Sequence, residues 1–342
     1  MWLHYLATPM RLWHGQHKYR KSSSGAERWR VILALAVASL LWGSLYPAAK
    51  PVLAVTGPMQ VTFCRVLLAF LALGLLILLR SGPGVLAQQL RAHWRAILVL
   101  GVFNFALSQI LAMSAQSLLP ASVNGLLNNT HPLWVAIASA LFYRPRRPGL
   151  LVVGSVVALV GVGLVFLPDL AFGAAASVAL SPAGIALSLA GSAVIAVGAG
   201  VGRQVMRGAD PLAITTLALG AAILPMTALT LGNGGFASIV SAPTDVHLLL
   251  LYLGIGCTAI NFALWYYGLK HTSAAAASAF QYMIPPTSVA VAAVFLHESI
   301  SPAVGLGTLC ILIGLLATQI ASTARRGSTP PLRGEEAALG QR

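Results

Sequence analysis

Charged residues are scarce in this chain, where Asp, Glu, Lys and Arg together make up 8% of 342 residues and only 7 are acidic. A soluble domain carries about a quarter charged residues, so this composition excludes an ordinary water-soluble fold. The chain is 58% hydrophobic with a mean hydropathy of +0.83. Its apolar runs are long and continuous, without the alternation of a membrane β-barrel, and only helices then satisfy the backbone in lipid. We therefore predict an all-α integral membrane protein.

Cysteine and catalytic motifs are also lacking. The three cysteines (Cys64, Cys257 and Cys310) fall in different apolar runs and form no CxxC pair. This pattern disfavours a disulfide framework and a zinc site, and favours buried apolar side chains. The spans contain no GxSxG, HExxH or paired carboxylates, so an intramembrane enzyme is disfavoured. We predict neither a cofactor nor a metal site.

Hydropathy predicts ten transmembrane helices, each about 20 residues long. The fourth and ninth of these are more polar than the rest. The predicted spans are 31–49, 58–79, 96–116, 121–143, 149–167, 182–202, 211–231, 247–268, 273–296 and 302–322.

The placement of the basic residues orients these ten spans. With ten spans, 19 of the 21 Lys and Arg residues lie in the tails and loops of one side, the opposite side has Lys50 alone, and Arg65 lies within a span. Such an excess marks the cytoplasmic side. We expect a multi-pass protein of the cell (inner) membrane with both termini in the cytoplasm. The net charge of +14 is explained by orientation and anionic headgroups, so no nucleic-acid partner is expected.

The predicted organisation has four parts. A basic tail (1–30) precedes a first five-helix repeat (31–167), and a second repeat (182–322) precedes a polar tail (323–342) that we expect to be disordered. The basic tail lacks a clear cleavage site, so a retained first span is favoured over a cleaved signal peptide.

The two halves match without a gap at an offset of 153 residues. This register pairs Gly101 with Gly254 and Pro132 with Pro285. Because each half has five spans, the second half enters the membrane from the opposite side. Inverted repeats of this kind are typical of secondary transporters, whose substrate site lies near the midplane between the halves. The paired prolines interrupt the fourth span of each half, so we expect the substrate site near these two spans.

The fourth spans contain the most polar side chains. Asn124, Asn128 and His131 have the spacing i, i+4, i+7 and therefore share one face of a helix. The repeat register pairs Asn128 with Gln281, as two walls of one cavity would be paired. Tyr282 follows Gln281 and is included in the candidate site. The alternative interpretation is interhelical hydrogen bonding, worth about 0.6 kcal/mol per contact.

Further candidates lie in the first, third and eighth spans. Asn261 and Trp265 are one turn apart, Asn104 precedes Ser108 by one turn, and Ser108 is the repeat partner of Asn261. Trp42 and Tyr46 have the same i, i+4 spacing in the first span. Aromatic rings with a few amides suit an uncharged or amphipathic organic ligand. Core packing is the alternative for these aromatic rings.

Arg65 is the one clear charge within a span, and at mid-bilayer it would cost about 2.5–3.5 kcal/mol. It could snorkel, pair with helix-end carbonyls or hold a substrate carboxylate, and these alternatives stay open. Its repeat partner is Ala218, so any function of Arg65 is asymmetric.

Four further features of the sequence belong together: "WGSLYPAAK" (42–50), Arg65, Pro132 and "YMIPPTSVAVAAVFLHESISPAVGLGTLCILIGL" (282–315). In these features the sequence resembles the ten-span EamA-type carriers of the drug/metabolite transporter superfamily, and Glu298 matches an acidic motif position of that family. The first half departs from the pattern, since "YRPRRPG" (143–149) lacks the corresponding Glu. The resemblance implies a carrier of small organic molecules, often an exporter of amino acids, metabolites or drugs.

Two functions follow as hypotheses. The first is a secondary transporter with alternating access around a midplane cavity, its partners being a small-molecule substrate and the bilayer. The second is a lipid carrier or an accessory membrane protein. Runs of small residues, such as 154–163 and 305–314, indicate close helix packing and are also compatible with a homodimer.

Overall fold

The computed structural model describes residues 25–134, 148–166, 180–205, 209–272 and 274–323. A short helix, Ala237–Val240, also lies between two of the longer ones. The helices that we number here are α1 (Gly25–Val55), α2 (Pro58–Ser81), α3 (Pro83–Leu118), α4 (Ala121–Asn128), α5 (Pro148–Phe166), α6 (Pro182–Val205), α7 (Pro211–Gly232), α8 (Thr244–His271), α9a (Ala274–Gln281), α9b (Ile284–Phe295) and α10 (Pro302–Thr323).

Several helices begin at a proline, which has no backbone N–H to leave unpaired at a helix start. Pro58, Pro83 and Pro211 occupy the first turns of α2, α3 and α7. Asp210 adds a side-chain cap to α7, because its Oδ1 accepts from the backbone N–H of Leu212 at 2.9 Å. Sequence signals of this kind explain why most predicted spans match the observed helices within a few residues.

The chain is a multi-pass membrane protein. In the described ranges, five helices (α1, α2, α3, α7 and α8) are long and apolar enough to cross a membrane, and four shorter apolar helices accompany them. Their outer faces are apolar too, since Leu71, Leu75 and Leu79 form an exposed stripe along α2. Such a stripe suits lipid and would be unfavourable in water.

The 80–95 segment differs from the predicted loop. Helix α3 already begins at Pro83 and contains a kink at His93 (φ −130°, ψ 19°). No glycine or proline follows Gly84 within this segment, so nothing in the local sequence stops the helix before the membrane span. Most residues between Pro83 and Arg95 are exposed, which places this helical extension at the rim of the bundle.

Both fourth spans are broken at positions that the repeat register makes equivalent. Helix α4 ends at Asn128 and is followed by a turn at 129–130, while α9a ends at Gln281 and is followed by a turn at 282–283. The prediction that Pro132 and Pro285 interrupt these spans is confirmed. Residues 135–147 of the fourth span lie outside the described residues.

The third spans of the two halves share a second irregularity. Residues Leu100–Leu107 of α3 and Tyr252–Ile260 of α8 are π-helical, with hydrogen bonds that reach one residue further than in an α-helix. Each π segment presents a glycine to the second span of the other half. A Cβ built on Gly101 would lie 2.7 Å from the Ala218 carbonyl oxygen, and one built on Gly254 would lie 3.2 Å from that of Arg65. These paired crossings are the contacts expected of two inverted repeats.

The last helices of the halves, α5 and α10, pack directly on each other. Their backbones touch through glycine, because a Cβ built on Gly161 would lie 2.7 Å from the Gly307 carbonyl oxygen and one on Gly154 would lie 2.9 Å from that of Gly314. The small-residue runs of the sequence therefore serve packing within the bundle. Apolar side chains such as Val153 and Leu309 cover the outer faces of this pair.

Gly161 and Gly163 provide a matched test of this packing. We expect Gly161→Ala to destabilise the protein by about 1–3 kcal/mol, because the added methyl group overlaps the α10 backbone. A Cβ at Gly163 would meet no described atom within 4 Å, so Gly163→Ala should leave stability unchanged or raise it. The melting temperatures of the two purified variants in detergent check this. Equal melting temperatures would contradict the close α5–α10 contact.

Candidate functional site

The break in α4 places a buried amide without a hydrogen-bond partner. Asn128 is 5% exposed, and its Nδ2 finds no partner in the described part of the chain. This nitrogen faces α6, where a Cβ built on Gly191 would lie 3.3 Å away. His131 follows in the segment after the turn at 129–130 and lies close to the backbone of Asn128. The Asn128 N–H₂ group can donate to a ligand that enters between α4 and α6.

The turn after α4 satisfies its own backbone through side chains. Asn129 donates from Nδ2 to the Gly125 carbonyl oxygen at 2.6 Å, and Thr130 donates from Oγ1 to the Leu127 carbonyl oxygen at 2.7 Å. The Thr130 hydroxyl also lies 3.1 Å from the Ser192 hydroxyl of α6. The break therefore connects the first half to the second half by a buried polar contact.

Asn124 is bonded differently from Asn128, although both lie on α4. Its Nδ2 donates to the Ala112 carbonyl oxygen at 3.1 Å and to Gln116 Oε1 at 2.7 Å. Gln116 in turn donates to the Tyr46 carbonyl oxygen at 3.2 Å. These bonds join α1, α3 and α4, so Asn124 makes the interhelical contacts that the alternative interpretation described.

The aromatic candidates form one cluster between α1, α3 and α8. Trp42 lies 5.3 Å from Trp265 and 5.8 Å from Phe262, measured between ring centroids, and Phe105 lies 5.8 Å from Phe262. Edge-to-face and tilted arrangements at these distances are favourable. Phe105 and Phe262 are not among the predicted site residues. Trp42 is half-buried, whereas Trp265 is 9% exposed.

Tyr46 lies where α1, α4 and α9b meet. A Cβ built on Gly125 would lie 3.4 Å from the Tyr46 ring and would overlap the Ser288 hydroxyl, so glycine is required for this approach. The Ser288 Oγ is buried without a hydrogen-bond partner in the described residues. Tyr46 and Ser288 thus bring one aromatic ring and one free hydroxyl to the same crossing.

Arg65 is buried inside the bundle with only 5% of its surface exposed. Its Nη2 donates to Gln109 Oε1 at 2.5 Å, while its Nε and Nη1 have no partner in the described residues. Tyr46 and Cys257 lie within electrostatic range of the guanidinium. Of the three alternatives for Arg65, snorkelling to a surface does not fit this burial.

Gln281 ends α9a, Tyr282 lies in the turn that follows it, Asn261 lies in α8 and Asn104 lies in α3. Gln281 is half-buried at the end of α9a, which packs on α1, and Asn261 donates from Nδ2 to the Ala38 carbonyl oxygen of α1 at 2.8 Å. Tyr282 donates to the Leu315 carbonyl oxygen of α10 at 3.2 Å. Asn104 lies beside α6, where a Cβ built on Gly198 would be 2.8 Å from its Oδ1. Asn261 and Tyr282 therefore have packing contacts, and Asn104 has an Oδ1 without a partner in the described residues.

A charged clamp holds the turn between α3 and α4. Three groups donate to Glu298: the Ala121 N–H to Oε1 at 2.7 Å, and the Ser122 N–H and hydroxyl to Oε2 at 3.1 and 2.7 Å. The Lys50 ammonium donates to the carbonyl oxygens of Gln116 and Leu119 at 2.9 and 2.6 Å. The anion thus lies at the positive start of α4 and the cation at the negative end of α3, as helix dipoles favour. Glu298 belongs to the second half and fixes a helix of the first.

An open cleft of about 550 Å³ lies away from these side chains, at the start of α2 and the end of α3. None of the predicted site residues lines it. Its lining residues are Gly57, Pro58, Met59, Gln60, Ser114, Ser117, Leu118, Leu187, Asn233, Gly234 and Ser238. In the described ranges, no group of three or more His, Cys, Asp and Glu residues could hold a metal ion.

Two five-helix halves with helix breaks at equivalent positions are an arrangement typical of secondary transporters. The profile of the EamA-like transporter family matches residues 29–167 and again 182–319, one copy in each half. The chain belongs to this family, within the drug/metabolite transporter superfamily. The resemblance seen in the sequence is confirmed.

Named relatives agree with this assignment. The chain is 24% identical over 294 residues to an uncharacterized transporter of Archaeoglobus fulgidus, covering 84% of this chain and 97% of that protein. It is 25% identical over 312 residues to a probable terminal-alkyne amino-acid exporter of Streptantibioticus cattleyicolor, covering 89% and 99%. A solved protein crystal structure, 20% identical, matches with a TM-score of 0.58 over 87% of this chain and 99% of the other, and shares the fold.

Several polar residues of the site are missing from the sequence-based prediction. Gln109 and Gln116 lie inside the apolar run of α3, and their polarity in that run is a visible signal. Ser288 gives no comparable signal, because serine is common in these spans and only the crossing at Gly125 reveals its position. The function of Glu298 as a helix cap also needs the structure, since the bond spans 177 residues along the chain.

Asn124 and Asn128 should respond differently to truncation. We expect Asn124→Ala to destabilise the protein by about 1–3 kcal/mol, because it removes two buried hydrogen bonds and leaves Gln116 Oε1 unpaired. Asn128→Ala should cost much less, because no bond to its Nδ2 is lost. Denaturation of both purified variants in detergent, compared with wild type, measures this difference. A larger loss for Asn128→Ala would mean that Asn128 has an unrecognised packing function.

Glu298→Gln should weaken the start of α4. A lost charged cap typically costs about 0.5–2 kcal/mol, and we expect a loss in this range. Asp245→Asn is the matched control, since Asp245 is an exposed acid in the first turn of α8. Thermal melting of the two variants makes the comparison. If Asp245→Asn costs as much as Glu298→Gln, the clamp has no special importance for stability.

Proposed function

We propose that this protein exports small organic molecules across the inner membrane by alternating access of its two halves. The observation that carries the proposal is the pair of helix breaks after Asn128 and Gln281, at equivalent positions of inverted repeats. Broken helices near the midplane expose backbone and side-chain groups to a substrate, and a transporter can close around them from either side.

The substrate site that we propose lies around the α4 break. Asn128 and Gln281 provide the amides, His131 lies next to Asn128, and Trp42 and Tyr46 provide the aromatic wall. Asn104 adds a buried oxygen without a partner in the described residues. Asn124, Asn261 and Tyr282 would support this wall from behind through the bonds that they make to neighbouring helices.

The contacts between the halves suggest how access would alternate. On one side, Glu298 of the second half caps α4 of the first half. Near the α4 break, Thr130 contacts Ser192 across the same boundary. Opening toward one side requires that contacts of this kind separate while their counterparts toward the other side form. Such exchange of interface contacts is the usual basis of a switching transition.

The distribution of charged residues supports the proposed orientation in the membrane, and one relative supports the proposed direction of transport. The excess of Lys and Arg on one side favours cytoplasmic termini. The relative from Streptantibioticus cattleyicolor is named as a probable exporter, which supports outward transport here. A panel of neutral, cationic and anionic solutes in proteoliposomes would test transport directly. Absence of any solute flux, together with movement of labelled lipid between leaflets, would favour a lipid carrier instead.

Asn128→Ala should reduce transport while leaving protein abundance in the membrane unchanged. We expect export to fall about 2- to 10-fold, the effect of losing one hydrogen bond to a substrate. Untargeted metabolite analysis of the medium from cells expressing wild type or variant at matched levels measures this. Solutes enriched outside by wild type alone would also identify the substrate.

Asn233→Ala is the matched control for this experiment, because Asn233 is an exposed amide that lines the open cleft. Its replacement should leave export unchanged. Reduced export by Asn233→Ala combined with normal export by Asn128→Ala would place the substrate site in the cleft and contradict the proposed one.

A further inference from the structure

The cation buried at Arg65 is incompletely satisfied by the protein. A guanidinium has five N–H donors, and in the described residues the bond from Nη2 to Gln109 is its one hydrogen bond, with Nε and Nη1 unpaired. The acids that the structure describes all lie at helix ends: Glu27 and Asp245 in first turns, Asp210 and Glu298 as caps. A buried charge without a counter-charge is strongly unfavourable, so a bound anion would stabilise the Arg65 guanidinium.

The inverted repeat shows that packing does not require this charge. The contact of Gly254 with the Arg65 carbonyl oxygen and the Leu68 side chain has an equivalent in the other half, where Gly101 contacts Ala218 and Ala221. Alanine fills the equivalent position there, and Ala218 belongs to an apolar core cluster. The same crossing is therefore built without a cation, and the arginine serves something other than the crossing.

The side chains around Arg65 form two tiers along the bundle. Gln109 in α3 hydrogen-bonds to the guanidinium and Tyr46 in α1 lies within electrostatic range of it, and these two residues form the polar tier. Four residues before each of them, Trp42 and Phe105 belong to the aromatic cluster, and Phe262 touches both rings. One helical turn, about 5.4 Å, separates the cationic tier from the aromatic tier.

We propose that Arg65 binds the carboxylate of an amphipathic substrate whose apolar or aromatic body lies on the aromatic tier. This inference rests on the proposed transport function and names the substrate class of that site. The N–H groups on Nε and Nη1 of Arg65, which have no partner in the described residues, can donate to carboxylate oxygens, and such charged bonds are strong in a site shielded from water. The aromatic rings one turn away accept an apolar body.

Matched acid and amide ligands test this proposal by thermal stabilisation of the purified protein. The probes are phenylacetate and phenylpropionate, each paired with its primary amide, which keeps the body and removes the charge. Wild type should bind the acids more tightly than the amides. Arg65→Ala should weaken binding of the acids at least about tenfold and leave the amides nearly unchanged, because a charged hydrogen bond is lost. Arg65→Lys should give an intermediate result, since lysine keeps the charge without the fork.

Two controls keep the test decisive. Arg80→Ala removes an exposed arginine from the same helix and should not alter binding. Arg65→Ala reproduces the residue of the equivalent crossing, so the variant should fold, and its melting temperature without ligand verifies this. A lower melting temperature with an unchanged acid-to-amide ratio would make Arg65 a packing residue and overturn the proposal. Equal binding of acids and amides by wild type would also overturn it.

Transport measurements separate this proposal from the broader one. If wild type transports neutral solutes in proteoliposomes but shows no preference for acids, the transport function stands and the carboxylate site does not. If wild type binds acids through Arg65 but transports nothing, the site stands and the transport function fails.

Discussion

Hydrogen bonding of the backbone within lipid is the constraint on which this structure depends. An amide or carbonyl group left unpaired in hydrocarbon costs several kcal/mol, so irregular backbone is tolerated only where protein surrounds it. The irregular segments of this chain follow that rule. The break after α4 is covered by Asn129 and Thr130, and the π segments of α3 and α8 lie against the second helices of the opposite halves. Irregularity is thereby concentrated where the two halves meet.

The two halves share a scaffold but differ in charge. Glycine crossings, helix breaks and π segments recur at the same register. The register pairs Arg65 with Ala218, and it pairs Glu298 with Pro145, which has an arginine on either side in the sequence. Symmetric backbone contacts allow two similar conformations, whereas unequal charges favour one of them over the other. The symmetric contacts thus keep the free-energy difference between the two conformations small, and the unequal charges determine which one is favoured.

Much of the fold could be predicted from the sequence because membrane helices leave strong local signals. Apolar length predicts the spans, and the constant offset predicts the repeat with the paired breaks near Pro132 and Pro285. The exception at 80–95 arises because a polar helix outside lipid has the same composition as a loop.

Individual hydrogen bonds could be predicted far less well than the helices. Asn124 and Asn128 share a helix face in the sequence, yet the Nδ2 of one is bonded between helices and that of the other is free in the described residues. That difference depends on which helix lies opposite each amide.

The residue types of the candidate site are predictable from the sequence, whereas their arrangement is not. The depth of Trp42 and Trp265 in their spans indicates a shared interior position, and they do lie together. Phe262 lies against Trp42, Gln109 bonds to Arg65 and Ser288 lies at the Gly125 crossing, and each of these contacts joins segments far apart in the chain. Long-range contacts of this kind leave no periodic signal, so they become visible only when the helices are placed.

The backbone contact between α5 and α10 has a consequence for how such proteins diversify. Where two backbones touch, every larger side chain is excluded, and neither helix can slide without opening a void. We expect this pair to act as a fixed frame during evolution as well as during motion. We expect substitution to be least tolerated at Gly154, Gly161 and Gly314, whose Cβ positions would meet the backbone of the other helix. Positions with open space around them, such as Gly163, remain free to change.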